Sequence, residues 1–249
     1  TEGFEVKAEG NVEVRGNVSA AVIESGGEVV IKKGFIGKEK GKIEAEVDIQ
    51  VKFIENGVVR TRGSVYVQDA IMHSQISAGE RVEVTLKKGH LVGGRIRAAR
   101  EIEANIIGSS LATITELEAG IDPESRQRIN ELEEEMESMN NNLLKTRKAL
   151  NILEKIKDKK GSLPRNKETM YYRLLSTRKK LEKTLEEDEK ELDQLQEQIK
   201  NLSRGRVKVH RKIYPGTSIS IGKSCYIVQD EMSSAAFIEE KGEVRQVTL

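Results

Sequence analysis

Short alternations of apolar and polar residues recur along the first 120 residues, at Val12/Val14, Val29/Ile31, Val47/Ile49, Val65/Val67, Val82/Val84 and Ile102/Ala104. The steps between them are 17, 18, 18, 17 and 20 residues. A period of two turns one side of each segment inward and the other toward water. Glu13, Lys32, Asp48, Tyr66, Glu83 and Glu103 then fall at or near outward positions. Glycines punctuate the intervals: Gly16, Gly26, Gly27, Gly34, Gly41, Gly57, Gly63, Gly79, Gly89, Gly93 and Gly94. This spacing predicts a parallel β-solenoid, in which no coil buries its apolar face alone and stacking makes one continuous narrow core. Glycine suits corners that need a positive φ or close contact between coils. Six coils at ~4.8 Å per strand make a column about 30 Å long. An antiparallel sandwich is the alternative, but its strands recur at shorter intervals with tighter hairpin signals.

After Gly120 the period changes from two to that of a helix. Asp122-Pro123 reads as a helix start, a capping residue followed by proline at the first helical position. From there to Lys160, Ile129, Leu132, Met136, Met139, Leu143, Thr146, Leu150 and Leu153 fall on one seam. Gly161-Ser-Leu-Pro164 breaks the run. A second seam follows with Tyr171, Leu174, Leu181, Leu185, Leu192, Leu195, Ile199 and Leu202, interrupted by Arg178 and Asp188. Two runs of about 36 residues joined by a short loop predict an antiparallel coiled-coil hairpin. At 1.5 Å per residue it extends roughly 50 Å. From Gly205 the strand-like alternation returns, at Val207/Val209, Ile219/Ile221, Tyr226/Val228, Phe237-Ile238 and Val244/Val247. The expected organisation is a mainly β chain with an α insertion. Residues 1–120 form a solenoid, 121–204 a helical hairpin, and 205–249 a returning β segment that completes or caps the solenoid.

Composition agrees with an elongated, high-surface protein: 33% of residues are charged, 4% are aromatic, and there is no Trp. The single cysteine, Cys225, leaves no intrachain disulfide and reads as a buried, inert thiol. No apolar run approaches the ~18 residues that cross a bilayer, and no signal peptide opens the chain. The expected compartment is the cytoplasm. A first residue of Thr suggests a piece of something longer.

The net charge of +1 says nothing, but its distribution does. Residues 145–180 carry 13 Lys/Arg against 3 Asp/Glu, whereas 121–144 carry 2 against 7 and 181–204 carry 4 against 8. The hairpin therefore has a basic tip and an acidic base. The tip cations are Lys145, Arg147, Lys148, Lys155, Lys157, Lys159, Lys160, Arg165, Lys167, Arg173, Arg178, Lys179 and Lys180. Three readings stay open. The faces are simply solvated; or the tip meets a protein, either an acidic partner or a second copy in a head-to-tail homodimer; or it meets nucleic acid or a membrane surface, the least favoured. A smaller basic strand face, Arg206, Lys208 and His210, reads as a solvated outer face without the aromatic platform that single-stranded nucleic acid needs.

Catalytic chemistry is hard to find. His73, His90 and His210 are far apart and none has a nearby Cys or second His, so no metal or cofactor is expected. The outward acids Glu44, Glu46 and Asp48 look like a charged face rather than a pair of carboxylates in a groove. His73, within Ala70-Ile-Met-His-Ser-Gln-Ile-Ser-Ala78, lacks the six-residue period of acyltransferase solenoids. The chain is expected not to be an enzyme.

Three stretches carry a resemblance: Gly89-His-Leu-Val-Gly-Gly-Arg-Ile-Arg-Ala98, Glu101-Ile-Glu-Ala-Asn-Ile-Ile-Gly108 and Thr115-Glu-Leu-Glu-Ala-Gly-Ile-Asp-Pro123. In this order, leading into a coiled coil, they resemble the bacterial flagellar assembly protein A (FapA) family over nearly the whole chain. The resemblance implies a right-handed parallel β-helix with a coiled-coil insertion and a non-enzymatic role. It also implies protein contacts in flagellar assembly or placement at the cell pole, and an N-terminal domain that this chain lacks. In outline the fold is similar to the C-terminal domain of the division-site inhibitor MinC and, more loosely, to the polymer-forming bactofilins. Three functions compete: a scaffold or adaptor that presents the basic tip, a cytoskeletal polymer stacked end to end, and a carbohydrate-active β-helix enzyme. The stretch Phe237–Val244 looks like a hairpin that caps the solenoid and so counts against growth from both ends.

Overall fold

The computed structural model describes residues 3–38, 40–202 and 205–249, with the side chains of residues 124, 160 and 198–202 outside the description. The expectations for the side chains of Lys160, Ile199 and Leu202 therefore lie outside the described residues. The chain forms two compact units, Thr1–Glu124 with Ile199–Leu249, and Ser125–Gln198.

The first unit is a β-solenoid whose strands stack in three parallel ladders. Along the first ladder the register runs Val12, Val29, Ile49, Val65, Val82, Ile102 and Val207. The second runs Val18, Phe35, Ile54, Ile71, Leu91, Ile107 and Ile213. The third runs Val6, Ile23, Ile43, Val59, Ile76, Ile96, Leu117 and Ile219. Each name in a ladder is one coil's inward side chain, and apart from Val6 and Val12 of the first coil none is more than 1% exposed. A parallel stack explains the nearly aromatic-free composition. Most inward side chains are Val or Ile lying on a counterpart one strand spacing away, so medium-sized apolar groups fill most of the narrow core, with Phe35 and Phe237 as its two large members.

One step of the expected repeat is corrected. Val47 is 48% exposed, and the inward pair of its coil is Ile49 and Val51. The alternation Val47-Asp48-Ile49 straddles a corner. The Thr61 hydroxyl donates to the Val47 carbonyl, and the Asp48 carboxylate accepts from the Ser64 amide at 2.7 Å. Both groups belong to the turn, and the strand begins only at Ile49.

The corners also differ from a simple glycine rule. Between the second and third ladders the corner is left-handed in every coil, and in five coils a residue other than glycine takes that conformation: Ala20, Lys38, Asn56, His73 and Ala112, with φ of 46°, 46°, 48°, 47° and 53°, while Gly93, Gly94, Gly108 and Gly216 also have positive φ there. On those five residues the stacked coil imposes a conformation that they disfavour in isolation. Gly26, Gly63 and Gly79 serve the other corner, where a methyl group would run into the backbone of the coil before.

At that second corner the chain leaves for the helices. In the coil beneath, Ala99-Arg100 make the whole turn between strands His90–Ala98 and Glu101–Ile107. One coil later the turn opens between Gly120 and Gly205. The Gly120 amide donates to the Ala98 carbonyl at 3.2 Å, and the Arg206 amide donates to the Arg100 carbonyl at 3.0 Å. Both stems thus keep the hydrogen bonds of an uninterrupted solenoid.

Past Thr217–Ile221 the direction of pairing reverses. Ser224–Ile227 lies antiparallel on that strand, Met232–Glu240 antiparallel on Arg206–Ile213, and Glu243–Val247 antiparallel on Met232–Glu240. Phe237, fully buried, pairs with Val207 and closes this end of the core.

The second unit holds most of two 38-residue helices, α1 (Pro123–Lys160) and α2 (Arg165–Leu202). Gly161, at φ 74°, ends α1 in the left-handed conformation that glycine adopts without steric cost. The Pro164 carbonyl then accepts from the amides of Lys167 and Glu168 to start α2.

Candidate partner-binding surface

Three contacts join the helices and show them to be antiparallel. Arg128 Nε donates to Glu191 Oε1 at 2.7 Å, Arg147 donates to Glu182 at 2.9 Å, and the Tyr171 hydroxyl lies 3.5 Å from Glu154. On α1 the expected seam is inside: Ile129, Leu132, Leu143, Thr146, Leu150 and Leu153 are buried, with Met136 and Met139 half-buried. Among the described side chains of the α2 seam Leu185 alone is buried, while Tyr171, Leu174, Leu181, Leu192 and Leu195 are half-buried. Arg178 and Asp188 interrupt that seam, and Arg178 Nε and Asp188 Oδ2 are shielded from water without a hydrogen-bond partner.

The charge pattern follows from the same geometry, because antiparallel pairing sets basic segments side by side at the tip. Lys145, Lys148, Lys155, Lys159, Arg165, Lys167, Arg173, Lys179 and Lys180 are exposed. None of them makes an ion pair among the described residues. Arg147 is paired with Glu182, Arg178 Nε stands 3.9 Å from the same carboxylate, and Lys157 lies over the Tyr171 ring at 5.7 Å. Lys160 belongs to this set by sequence, outside the described side chains. The acidic end is better satisfied. The Arg128 hydrogen bond holds the Glu191 carboxyl below its usual range, and Lys190 does the same for Glu186.

On the solenoid the third ladder presents its own charged columns. Glu44 pairs with Lys42 at 2.7 Å, Arg95 with Glu116, and Arg97 with Glu118 at 3.1 Å. The Glu116 hydrogen bond pushes the Arg95 guanidinium above its ordinary value. Beside them an open depression of about 370 Å³ is lined by Gln75, Gly94, Arg95, Arg97, Ile114 and Glu116, with Ile114 74% exposed. Alternation gives no signal for this feature, since Ile114 belongs to the loop between two strands. Arg206, Lys208 and His210 lie on one outer strand face as expected. They are tied down there, Lys208 to Glu101 at 2.7 Å and His210 to Glu103 at 2.6 Å.

The histidines remain apart. His73 is an exposed corner residue, His90 Nε2 contacts the Gly108 carbonyl at 2.8 Å, and His210 holds Glu103. Among the described residues no group of three His, Cys, Asp or Glu converges as for a metal ion, and no helix is long and apolar enough to cross a membrane. Cys225, expected inside, is exposed. On strand Ser224–Ile227 its neighbour Tyr226 takes the inward position against Ile219 and Phe237, which turns the thiol outward.

Residues 1–244 match the family model described as the Flagellar Assembly Protein A beta solenoid domain. No curated protein and no solved structure matches the chain.

Proposed function

Since the chain belongs to the flagellar assembly protein A family, we propose that it acts without catalysis, as a scaffold that offers the basic half of its helical hairpin to a protein partner. The supporting observation is the row of exposed tip cations, from Lys145 to Lys180, that make no ion pair among the described residues. Like charges held side by side cost the hairpin stability, and an acidic surface relieves that cost. The solenoid's carboxylates support the non-catalytic reading. Glu44, Glu101, Glu116 and Glu118 each face a cation on the same or an adjacent strand, rather than a second carboxylate across a groove. The antiparallel strands at the C-terminal end weigh against a polymer that grows from both ends. In this reading the partner belongs to flagellar assembly, the process that names the family, and the meeting place is the cytoplasmic cell pole.

Capture from a cell extract tests the tip. The chain with Lys155, Lys157, Lys159 and Lys160 changed to Glu is expected to lose the proteins that the unchanged chain retains. Equal recovery by both removes the tip from the mechanism.

A further inference from the structure

The proposed partner surface has an internal symmetry that says what fits it. Along α2 the two polar interruptions of the seam, Arg178 and Asp188, stand five residues on either side of Lys183. The apolar positions obey the same centre, with Leu181 answering Leu185 and Leu174 answering Leu192. On α1 the seam is centred in the same way on Asn141, and the contacts Arg128–Glu191, Glu154–Tyr171 and Arg147–Glu182 set residue 141 level with a stretch of α2 that brackets residue 183, no more than five residues from it on either side. The sign of the charge changes at that level too, between 144 and 145 on α1 and between 180 and 181 on α2. One two-fold axis there satisfies the seam, the polar interruptions and the charge together.

We propose that two copies of this chain associate through their hairpins, antiparallel about a two-fold axis at the level of residues 141 and 183, with Arg178 of each copy facing Asp188 of the other. This rests on the reading that the hairpin is the partner surface, and it names the partner as a second copy. The basic tip of one copy then lies along the acidic base of the other. Over α2, residues 171–180 carry four cations and no acid, and residues 186–195 carry six acids and one cation. The half-buried Leu174, Leu181, Leu192 and Leu195 gain the cover that α1 alone does not give them. Arg178 Nε and Asp188 Oδ2 make no hydrogen bond within one copy, where Arg178 has only Glu182 at 3.9 Å as a counter-ion, and the dimer sets the Asp188 side chain of the other copy beside each Arg178. A charged pair of this kind fixes the pairing distance along the helices.

The test is the molar mass of the full chain at micromolar concentration, by light scattering behind a sizing column. The unchanged chain is expected at twice 27.9 kDa. Arg178→Asp alone and Asp188→Arg alone each set two like charges face to face at both ends, weakening association on the order of a hundredfold or more. Both are expected as monomers that keep their helical circular dichroism. An equimolar mixture of the two restores opposite charges at both contacts, so the doubled mass returns, which also shows that each variant folds. A monomeric unchanged chain, a dimer that survives either single change, or a mixture that stays monomeric overturns the proposal. Should the unchanged chain be monomeric while the charge-reversed tip still loses its captured proteins, the second copy is withdrawn as partner and the tip's role stands.

Discussion

Gly120 and Gly205 meet backbone to backbone where the helices leave and rejoin the solenoid, so close that a methyl group on Gly205 would overlap the Gly120 main chain. Gly120 also holds a φ of 88°, outside the range of ordinary L side chains. Gly205→Ala is therefore expected to lower the stability of the solenoid by about 1–3 kcal/mol. Gly16→Ala, with nothing within 4 Å of the added carbon, serves as its neutral control. Urea unfolding followed in the β-sheet band compares the two, and equal midpoints would count against a tight junction.

The corrected register yields a paired test. Ile54 is fully buried and Val47 is 48% exposed. Truncation of Ile54 to Ala is expected to cost about 2–5 kcal/mol, and the same truncation at Val47 within about 0.5 kcal/mol of nothing. Were Val47 the inward residue of its coil, both changes would destabilise alike.

Acid weakens the hairpin in a definite direction. Glu191 and Glu186 titrate below their ordinary 4.5 in the folded chain, held there chiefly by hydrogen bonds from Arg128 and Lys190. A depressed folded value means stability that is fully present above the ordinary value and is lost as the pH falls through the depressed one. Both pairs are solvent-exposed, so the effect is small and shrinks with salt. Helical circular dichroism melts are expected to shift down between neutral and about pH 3 at low salt, less so for Glu191→Gln. A melting point that rises in acid would contradict the assignment.

Cys225 is exposed, on a strand whose inward place is taken by Tyr226. A thiol reagent is expected to modify one equivalent in the native chain, as fast as after unfolding. Protection until denaturant is added would put the thiol back inside.

How much could be read in advance depended on the kind of signal. Strand recurrence and the helical seams are periodic, and periodicity registers burial directly, so Val65, Ile102, Leu132 and Leu150 are where alternation put them. Val47 was misplaced because a corner can mimic one step of alternation, and only the hydrogen bonds of Thr61 and Asp48 mark it as a turn. The left-handed corners at Ala20, Lys38 and His73 carry no residue signature, since neighbouring coils impose them. The row of tip cations was legible as composition. Which of the described tip cations go without an ion pair, and that Arg178 Nε and Asp188 Oδ2 are shielded, depend on which side chains meet across the hairpin.

Because the stems at Gly120 and Arg206 keep the hydrogen bonds of an uninterrupted coil, the solenoid is expected to fold without the hairpin. Joining Gly120 directly to Gly205, with residues 121–204 removed, tests that in one thermal unfolding experiment on the shortened chain. A soluble β-rich protein with a single cooperative transition is the predicted result. A chain that aggregates or melts without cooperativity would mean that the helices are part of what builds the fold.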